Sequence, residues 1–122
     1  MSWVGKWRNQ FGSIVHITND ANGRIEGSFR TALEDSGFYG QTVPIIGFHQ
    51  GNCIGFVAVG SSPAGDRVLS YTGLLRDGKM ETAWFVVADK VLSATKEGEP
   101  AKLKQLNWWR AVSTSLDTFE RV

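Results

Sequence analysis

Four polar residues lie on strand faces that the hydrophobic pattern predicts to point into the protein. They are Asn9, Ser13, Thr31 and Asp117. Asn9 alternates in step with Trp7, and Asp117 alternates in step with Phe119, so each polar side chain shares a face with a large apolar one. A buried amide or carboxylate needs a hydrogen-bond partner, because burial without one is strongly unfavourable.

These side chains have the chemistry of a site for a small cyclic amide or urea. Asn9 and Ser13 can donate to a ligand carbonyl, while Thr31 and Asp117 can accept from its N–H groups. The sequence shows no inward Lys or Arg as a partner for Asp117, and ligand N–H groups would meet that need. The alternative is a buried network in which the polar side chains satisfy one another.

Short strands joined by turns must position these residues. A period of two prevails along the chain, and turn residues such as Gly51 and Asn52 separate the alternating stretches. After a first hairpin at 5–13, the predicted strands are 13–18, 25–32, 43–50, 53–59, 67–75, 80–87 and 106–122. The predicted fold is all-β: an eight-stranded antiparallel up-and-down β-barrel, which removes sheet edges and leaves a ligand pocket at one end.

The connections carry weaker signals. Residues 33–42 are predicted to form a loop, and residues 89–95 a short turn or helix. The last strand begins beside Trp108, and its predicted inward residues are Trp109, Ala111, Ser113, Ser115, Asp117 and Phe119. On the seventh strand Trp84 shares the inward face, so Trp84 and Trp109 are expected to supply apolar walls.

Length and composition limit the function classes. The 122 residues are predicted to form one domain, residues 1–122, with 13 basic and 12 acidic side chains and a formal charge of +1. This near-neutral balance disfavours a nucleic-acid partner. Cys53 is the single cysteine, which excludes an intrachain disulfide and a zinc site built on several cysteines. No apolar run reaches the ~18 residues of a membrane span, and no signal peptide is visible.

The sequence does not predict an enzyme. His16 and His49 are the two histidines, and both are expected at the surface or at an interface. No nucleophile elbow or triad spacing accompanies them, so no catalytic residue and no metal ligand is predicted.

Several motifs resemble the avidin/streptavidin family of biotin-binding barrels. The stretch 5–13, Gly-Lys-Trp-Arg-Asn-Gln-Phe-Gly-Ser, is similar to the first hairpin of that family. Further similarity, in the family's order, lies at 27–32, 71–73, 82–84, Trp109 and 116–122. The resemblance implies that Asn9 and Ser13 donate to the ureido oxygen of biotin, and that Thr31 and Asp117 accept from its ureido N–H groups.

The same resemblance implies further roles. Tyr71 and Trp84 would line the pocket, and Trp7 would plug the closed end of the barrel. Trp109 would reach the pocket of a neighbouring subunit, which implies a homo-oligomer, with a tetramer favoured over a dimer. Biotin would be a ligand and not a cofactor, with no nucleic acid or membrane as partner. The family also implies a secreted or periplasmic protein.

Four positions depart from the family pattern. Phe29 replaces a tyrosine whose hydroxyl is a third donor to the ureido oxygen, and Gly60 replaces a tryptophan wall. Leu69 replaces a hydroxyl under the ligand sulfur, and Arg67 falls near a hydroxyl that meets the ligand carboxylate. These changes predict weaker biotin binding than in the tightest family members. Two alternatives remain: an avidin-like scaffold with an altered or decayed pocket that takes another small ligand, and a lipocalin-like carrier of apolar ligands, which the inward Asn9 and Asp117 disfavour.

Overall fold

Alternating side chains and glycine-containing turns give the chain its strands in the computed structural model, which describes residues 2–32, 40–62, 65–93 and 102–122. The strands are β1 (Gly5–Asn9), β2 (Ile14–Asn19), β3 (Arg24–Arg30), β4 (Thr42–Gln50), β5 (Cys53–Ser62), β6 (Gly65–Arg76), β7 (Lys79–Ala88), β8 (Lys90–Ser93), β9 (Lys102–Gln105) and β10 (Val112–Arg121). A 3₁₀ turn occupies Ala21–Gly23, and the short helix α1 spans Trp108–Ala111.

Eight of the described strands close into a barrel in the order β1-β10-β7-β6-β5-β4-β3-β2. Every neighbouring pair is antiparallel. The first and last barrel strands meet at a seam, where Trp7 pairs with Arg121 and Asn9 pairs with Phe119. The predicted eight-stranded antiparallel barrel is therefore confirmed.

Two connections differ from the sequence prediction. Residues 89–95 were expected to form a turn or helix, but β8 pairs with β9, with Lys90 opposite Gln105. Each of these strands has only four residues, too few to show a clear period of two. The predicted strand 106–122 begins instead with the single helical turn α1. Most of the predicted loop 33–42 lies outside the described residues.

Tryptophan closes one end of the barrel, called here the tryptophan end, where β1 begins and β10 finishes. Trp7 has 0% of its surface exposed, and its Nε1 donates to the Trp3 carbonyl at 2.9 Å. The Arg121 guanidinium lies 4.3 Å from the centre of the Trp7 ring. His49 is half-buried here, and its Nε2 lies 2.7 Å from the Asp20 carbonyl oxygen.

The opposite end, called the site end, is where β1, β3, β5 and β7 finish and where β2, β4, β6 and β10 begin. This arrangement follows from the antiparallel order, because successive strands run in opposite directions. It places Asn9, Ser13 and Thr31 at the same end, because Asn9 ends β1, Ser13 precedes β2 and Thr31 follows β3. Among the described residues, no helix has the length and apolar character needed to cross a membrane.

Candidate functional site

Asn9 and Asp117 meet across the seam between β1 and β10. Both residues are buried, and Asn9 Nδ2 donates to Asp117 Oδ2 at 3.0 Å. They are 108 positions apart in the sequence and face each other because the two terminal strands pair. The structure thus brings together two of the predicted site residues in direct contact.

The Asp117 carboxylate has other donors within the chain. Tyr71 Oη donates to Oδ2 at 3.0 Å, and Gln10 Nε2 donates to Oδ1 at 3.3 Å. Thr82 Oγ1 donates to the main-chain carbonyl of Asp117 at 2.8 Å. The sequence named no Lys or Arg as a partner for Asp117 and left a polar network that satisfies itself as the alternative, and these bonds belong to such a network. Neutral side chains supply the hydrogen bonds that its burial requires.

Asn9 also holds the first turn in shape. Its Oδ1 accepts hydrogen bonds from the main-chain N–H groups of Phe11, at 3.0 Å, and Ser13, at 2.9 Å. Side chains of Asn commonly accept from the backbone two residues on, and they favour turns for this reason. Gly12 completes the turn with a φ of +89°, which suits a residue without Cβ. The Asn9 amide is therefore fixed in orientation, with Nδ2 directed at Asp117.

Ser13 and Thr31 form a second polar pair on the opposite side of this turn. Both residues are buried, and their hydroxyl oxygens lie 3.4 Å apart. Ser13 Oγ also accepts from the main-chain N–H of Ala32 at 2.9 Å. Because that bond uses an acceptor position, the Ser13 hydroxyl proton stays available for Thr31 or for a ligand oxygen.

Three aromatic rings pack around the ring of Tyr71. The Tyr71 ring centre lies 5.1 Å from that of Phe56, 5.6 Å from that of Phe119 and 6.0 Å from that of Phe29. Burial, together with the charge of Asp117 and the hydrogen bond to it, raises the pKa of Tyr71 far above its usual range. Tyr71 therefore keeps its proton and acts as a donor to Asp117 at physiological pH.

Trp84 and Trp109, the two tryptophans predicted to form walls of the pocket, differ in burial. Trp84 is half-buried and packs against the hydrophobic core. Trp109 lies on α1 with 69% of its surface exposed, and the Arg110 guanidinium lies 4.6 Å from its ring centre. The prediction that Trp109 points into its own barrel is thus wrong. Ser113 and Ser115 are exposed, but they keep the predicted inward face, because they pair with Val86 and Trp84 in register with Asp117 opposite Thr82.

Three of the positions that depart from the family pattern, Gly60, Arg67 and Leu69, lie toward the site end of β5 and β6. Leu69 is buried, and Gly60 pairs with Arg67 across β5 and β6.

Two contributors to the site were missed in the sequence. Thr82 shares an inward face with Trp84, which was a usable signal, whereas Gln10 lies in a turn where alternation gives no direction. Within the described ranges, no group of three or more His, Cys, Asp or Glu residues is placed to hold a metal ion.

A small closed antiparallel barrel with a buried polar cluster toward one end defines the class of this protein. The sequence profile of the avidin family matches residues 1–122, and the chain belongs to that family. Proteins of this family bind ligands and are not enzymes.

Solved structures support the same fold. The bradavidin2–biotin complex matches with a TM-score of 0.71 at 19% identity, covering 100% of this chain and 99% of that one. Apo shwanavidin matches with a TM-score of 0.73 at 20% identity, covering 100% of this chain and 97% of that one. The rhizavidin–biotin complex matches with a TM-score of 0.70 at 20% identity, covering 99% of this chain and 92% of that one. A comparison with curated proteins gave no match.

Proposed function

We propose that this protein binds biotin non-covalently, with the ureido ring held by Asn9, Ser13, Thr31 and Asp117. The observation that carries the proposal is the buried set of hydroxyl, amide and carboxylate groups toward the site end. A ureido ring presents one carbonyl acceptor and two N–H donors, and this set offers donors and acceptors of both kinds. Membership of the avidin family and the two similar biotin complexes support the same ligand.

Hydrogen bonds within the pocket compete with those of a ligand. Asp117 accepts from Asn9 and Tyr71 at Oδ2 and from Gln10 at Oδ1, and a carboxylate has about four acceptor positions. A ureido N–H can therefore occupy the remaining position at Oδ1, or it can replace one of these donors and release Asn9 Nδ2 or the Tyr71 hydroxyl to the ureido oxygen. Where one bond is made as another is lost, the net gain is smaller than for a vacant carboxylate.

The affinity is expected to be below that of the tightest family members. Phe29 has no hydroxyl for the ureido oxygen, and the loss of a hydrogen bond to a partly charged oxygen costs about 1.5–3 kcal/mol. Tyr71 lines the pocket beside Phe29, with its hydroxyl directed at Asp117. Trp84 and the Trp109 of a neighbouring subunit complete the walls in this proposal.

The direct test compares thermal unfolding with and without biotin. A ligand that binds only the folded state raises the unfolding temperature in proportion to the logarithm of its excess concentration. We expect a rise at biotin concentrations well above Kd, together with a change in tryptophan fluorescence. The absence of both changes would contradict the proposal.

A second function is favoured by the internal partners of Asp117. Because Asn9, Gln10 and Tyr71 already satisfy the carboxylate, the scaffold is stable with no ureido ligand. This arrangement suits an altered pocket that takes another small ligand. An apolar or amide ligand that raises the unfolding temperature when biotin does not would establish this alternative.

We further propose that the protein is a homo-oligomer, with a tetramer favoured over a dimer. Trp108 and Trp109 are 74% and 69% exposed on α1, and large exposed apolar groups of this kind usually mark interfaces. The outer face of β4–β7 adds a continuous apolar surface through Ile46, Val57, Val59, Val68, Phe85 and Val87. Light scattering that found a monomer would contradict this part of the proposal.

A further inference from the structure

The buried carboxylate of Asp117 has hydrogen-bond donors but no counter-charge. Its donors are neutral groups, Asn9 Nδ2 and Tyr71 Oη at Oδ2 and Gln10 Nε2 at Oδ1. Asp117 forms no ion pair with any residue in the described part of the chain. Only 5% of its surface is exposed, so dissolved salt screens the charge weakly. The hydrogen bonds are therefore made, but the negative charge is not neutralised.

Two arginines share inward strand faces with this site, and neither neutralises Asp117. Arg121 lies four residues further along β10, which is about 13 Å along a strand. Its guanidinium is held over the Trp7 ring and donates to two main-chain carbonyls before β1. Arg67 lies four residues before Tyr71 on β6, at a similar distance along that strand. A cation next to Asp117 would have to come from a ligand.

The polar side chains near Asp117 offer acceptors more readily than donors. Asn9 Nδ2 already gives one of its two protons to Asp117, and two main-chain N–H groups fix the orientation of this amide. The buried Phe29 side chain has no polar atom. Ser13 Oγ accepts from one main-chain N–H and keeps a second acceptor position when its proton turns to Thr31. Such a set suits a ligand that only donates better than a carbonyl that needs several donors.

We propose that this pocket binds a cyclic guanidinium in preference to a neutral cyclic urea, with Asp117 as its counter-charge. The inference rests on the proposed site for the ureido ring, because the two rings have nearly the same planar shape. A guanidinium has N–H donors around its plane and no acceptor, and its hydrogen bonds to a carboxylate are about twice as strong as neutral ones. Folding has already removed water from Asp117, so only the ligand loses hydration on binding, and a guanidinium is weakly hydrated.

The test compares biotin with 2-iminobiotin, in which a cyclic guanidine replaces the ureido ring and the rest of the molecule is the same. The guanidine is protonated at pH 7, where isothermal titration calorimetry measures both affinities. We expect 2-iminobiotin to bind at least roughly tenfold more tightly than biotin. Asp117→Asn keeps the shape of the side chain and removes its charge. It should weaken 2-iminobiotin binding roughly a hundredfold and biotin binding roughly tenfold, so that the preference is lost.

Phe29→Tyr is a second variant, which leaves the charge of Asp117 in place and serves if Asp117→Asn does not fold. The new hydroxyl can donate to a carbonyl oxygen, so it should tighten biotin binding and leave 2-iminobiotin binding unchanged, which narrows the preference. Glu120→Gln is the matched control for Asp117→Asn, since it removes an exposed carboxylate of the same strand. It should leave both affinities unchanged.

Each result bears on the preference or on the site itself. Equal or tighter binding of biotin by the unmodified protein would overturn the preference and leave the biotin site standing. An equal loss for both ligands in Asp117→Asn would also overturn it, because Asp117 would then act only as a hydrogen-bond acceptor. Binding of 2-iminobiotin without any binding of biotin would support the guanidinium site and contradict the proposed function. If neither ligand binds, both proposals fail.

Discussion

The two ends of the barrel are both buried, but different interactions fill them. At the tryptophan end, Trp3 and Trp7 pack their rings 6.3 Å apart, and the Trp7 N–H donates to a main-chain carbonyl. Toward the site end, Asn9, Tyr71 and Asp117 bond side chain to side chain. Hydrogen bonds between side chains can be exchanged for hydrogen bonds with a polar ligand, whereas the packed rings offer no such exchange to a polar group. We therefore expect one end to contribute mainly stability and the other to bind the proposed ligand.

The largest expected effect is on stability, from Trp7→Ala. Truncation of a fully buried tryptophan leaves a cavity and should lower the free energy of unfolding by about 3–5 kcal/mol. Urea denaturation followed by circular dichroism measures it. Phe11→Ala removes an exposed ring that the proposed interface does not use and is the control, with an expected change below about 1 kcal/mol. Equal stability of the Trp7 variant and the unmodified protein would contradict the assignment of stability to this end.

The next effect is on binding, from Asp117→Ala. Loss of the acceptor for the ureido N–H groups should weaken biotin binding by about 3 kcal/mol, which is more than a hundredfold in Kd. Calorimetric titration measures the change, and Glu120→Ala on the exposed side of the same strand is the control. An unchanged affinity would refute the role given to Asp117.

A gain is expected from Phe29→Tyr. The new hydroxyl should donate to the ureido oxygen and tighten binding by roughly tenfold to a hundredfold. Phe48→Tyr places the same hydroxyl on the exposed face of β4, at the tryptophan end, and should leave the affinity unchanged. Weaker binding by the Phe29 variant would show that the ligand lies elsewhere in the barrel.

The smallest effect concerns pH and belongs to the tryptophan end. The main-chain N–H of Trp3 donates to Asp20 at 2.7 Å and lowers the pKa of this carboxyl below its ordinary value of 3.8. A lowered pKa in the folded state gives stability that is fully present above pH 3.8 and is lost as the pH falls through the folded value. Because Asp20 is well solvated, the contribution should be below about 1 kcal/mol. Asp20→Asn should flatten the acid limb of the stability profile, and an unaltered limb would contradict this.

The sequence predicted the barrel because side chains alternate faithfully in the long strands. Trp7, Phe29 and Asp117 all point inward in the structure, as their positions in the pattern required. Alternation specifies a face but not a partner, so the bonds from Tyr71 and Gln10 to Asp117 could not be predicted. The short helix α1 was missed for another reason, since four residues are too few to show a period of 3.6.

Other misses came from short elements. Strands β8 and β9 have four residues each, too few to show a clear period of two. The positions of Lys90 and Arg110 could not be predicted, since they depend on that pairing and on α1. The roles given to the eight predicted site residues in ligand binding remain predictions until ligand is measured.

The seam between β1 and β10 has a consequence for the order of events during synthesis. Asn9 is synthesised 108 positions before Asp117, and the hydrogen bond between them joins the first barrel strand to the last one. A nascent chain that does not yet include β10 has no closed barrel, and the proposed ureido site lacks Asp117. We expect contacts this distant in sequence to form late in folding, because the intervening loop must be closed first. The proposed ligand binding would therefore report that the barrel has closed.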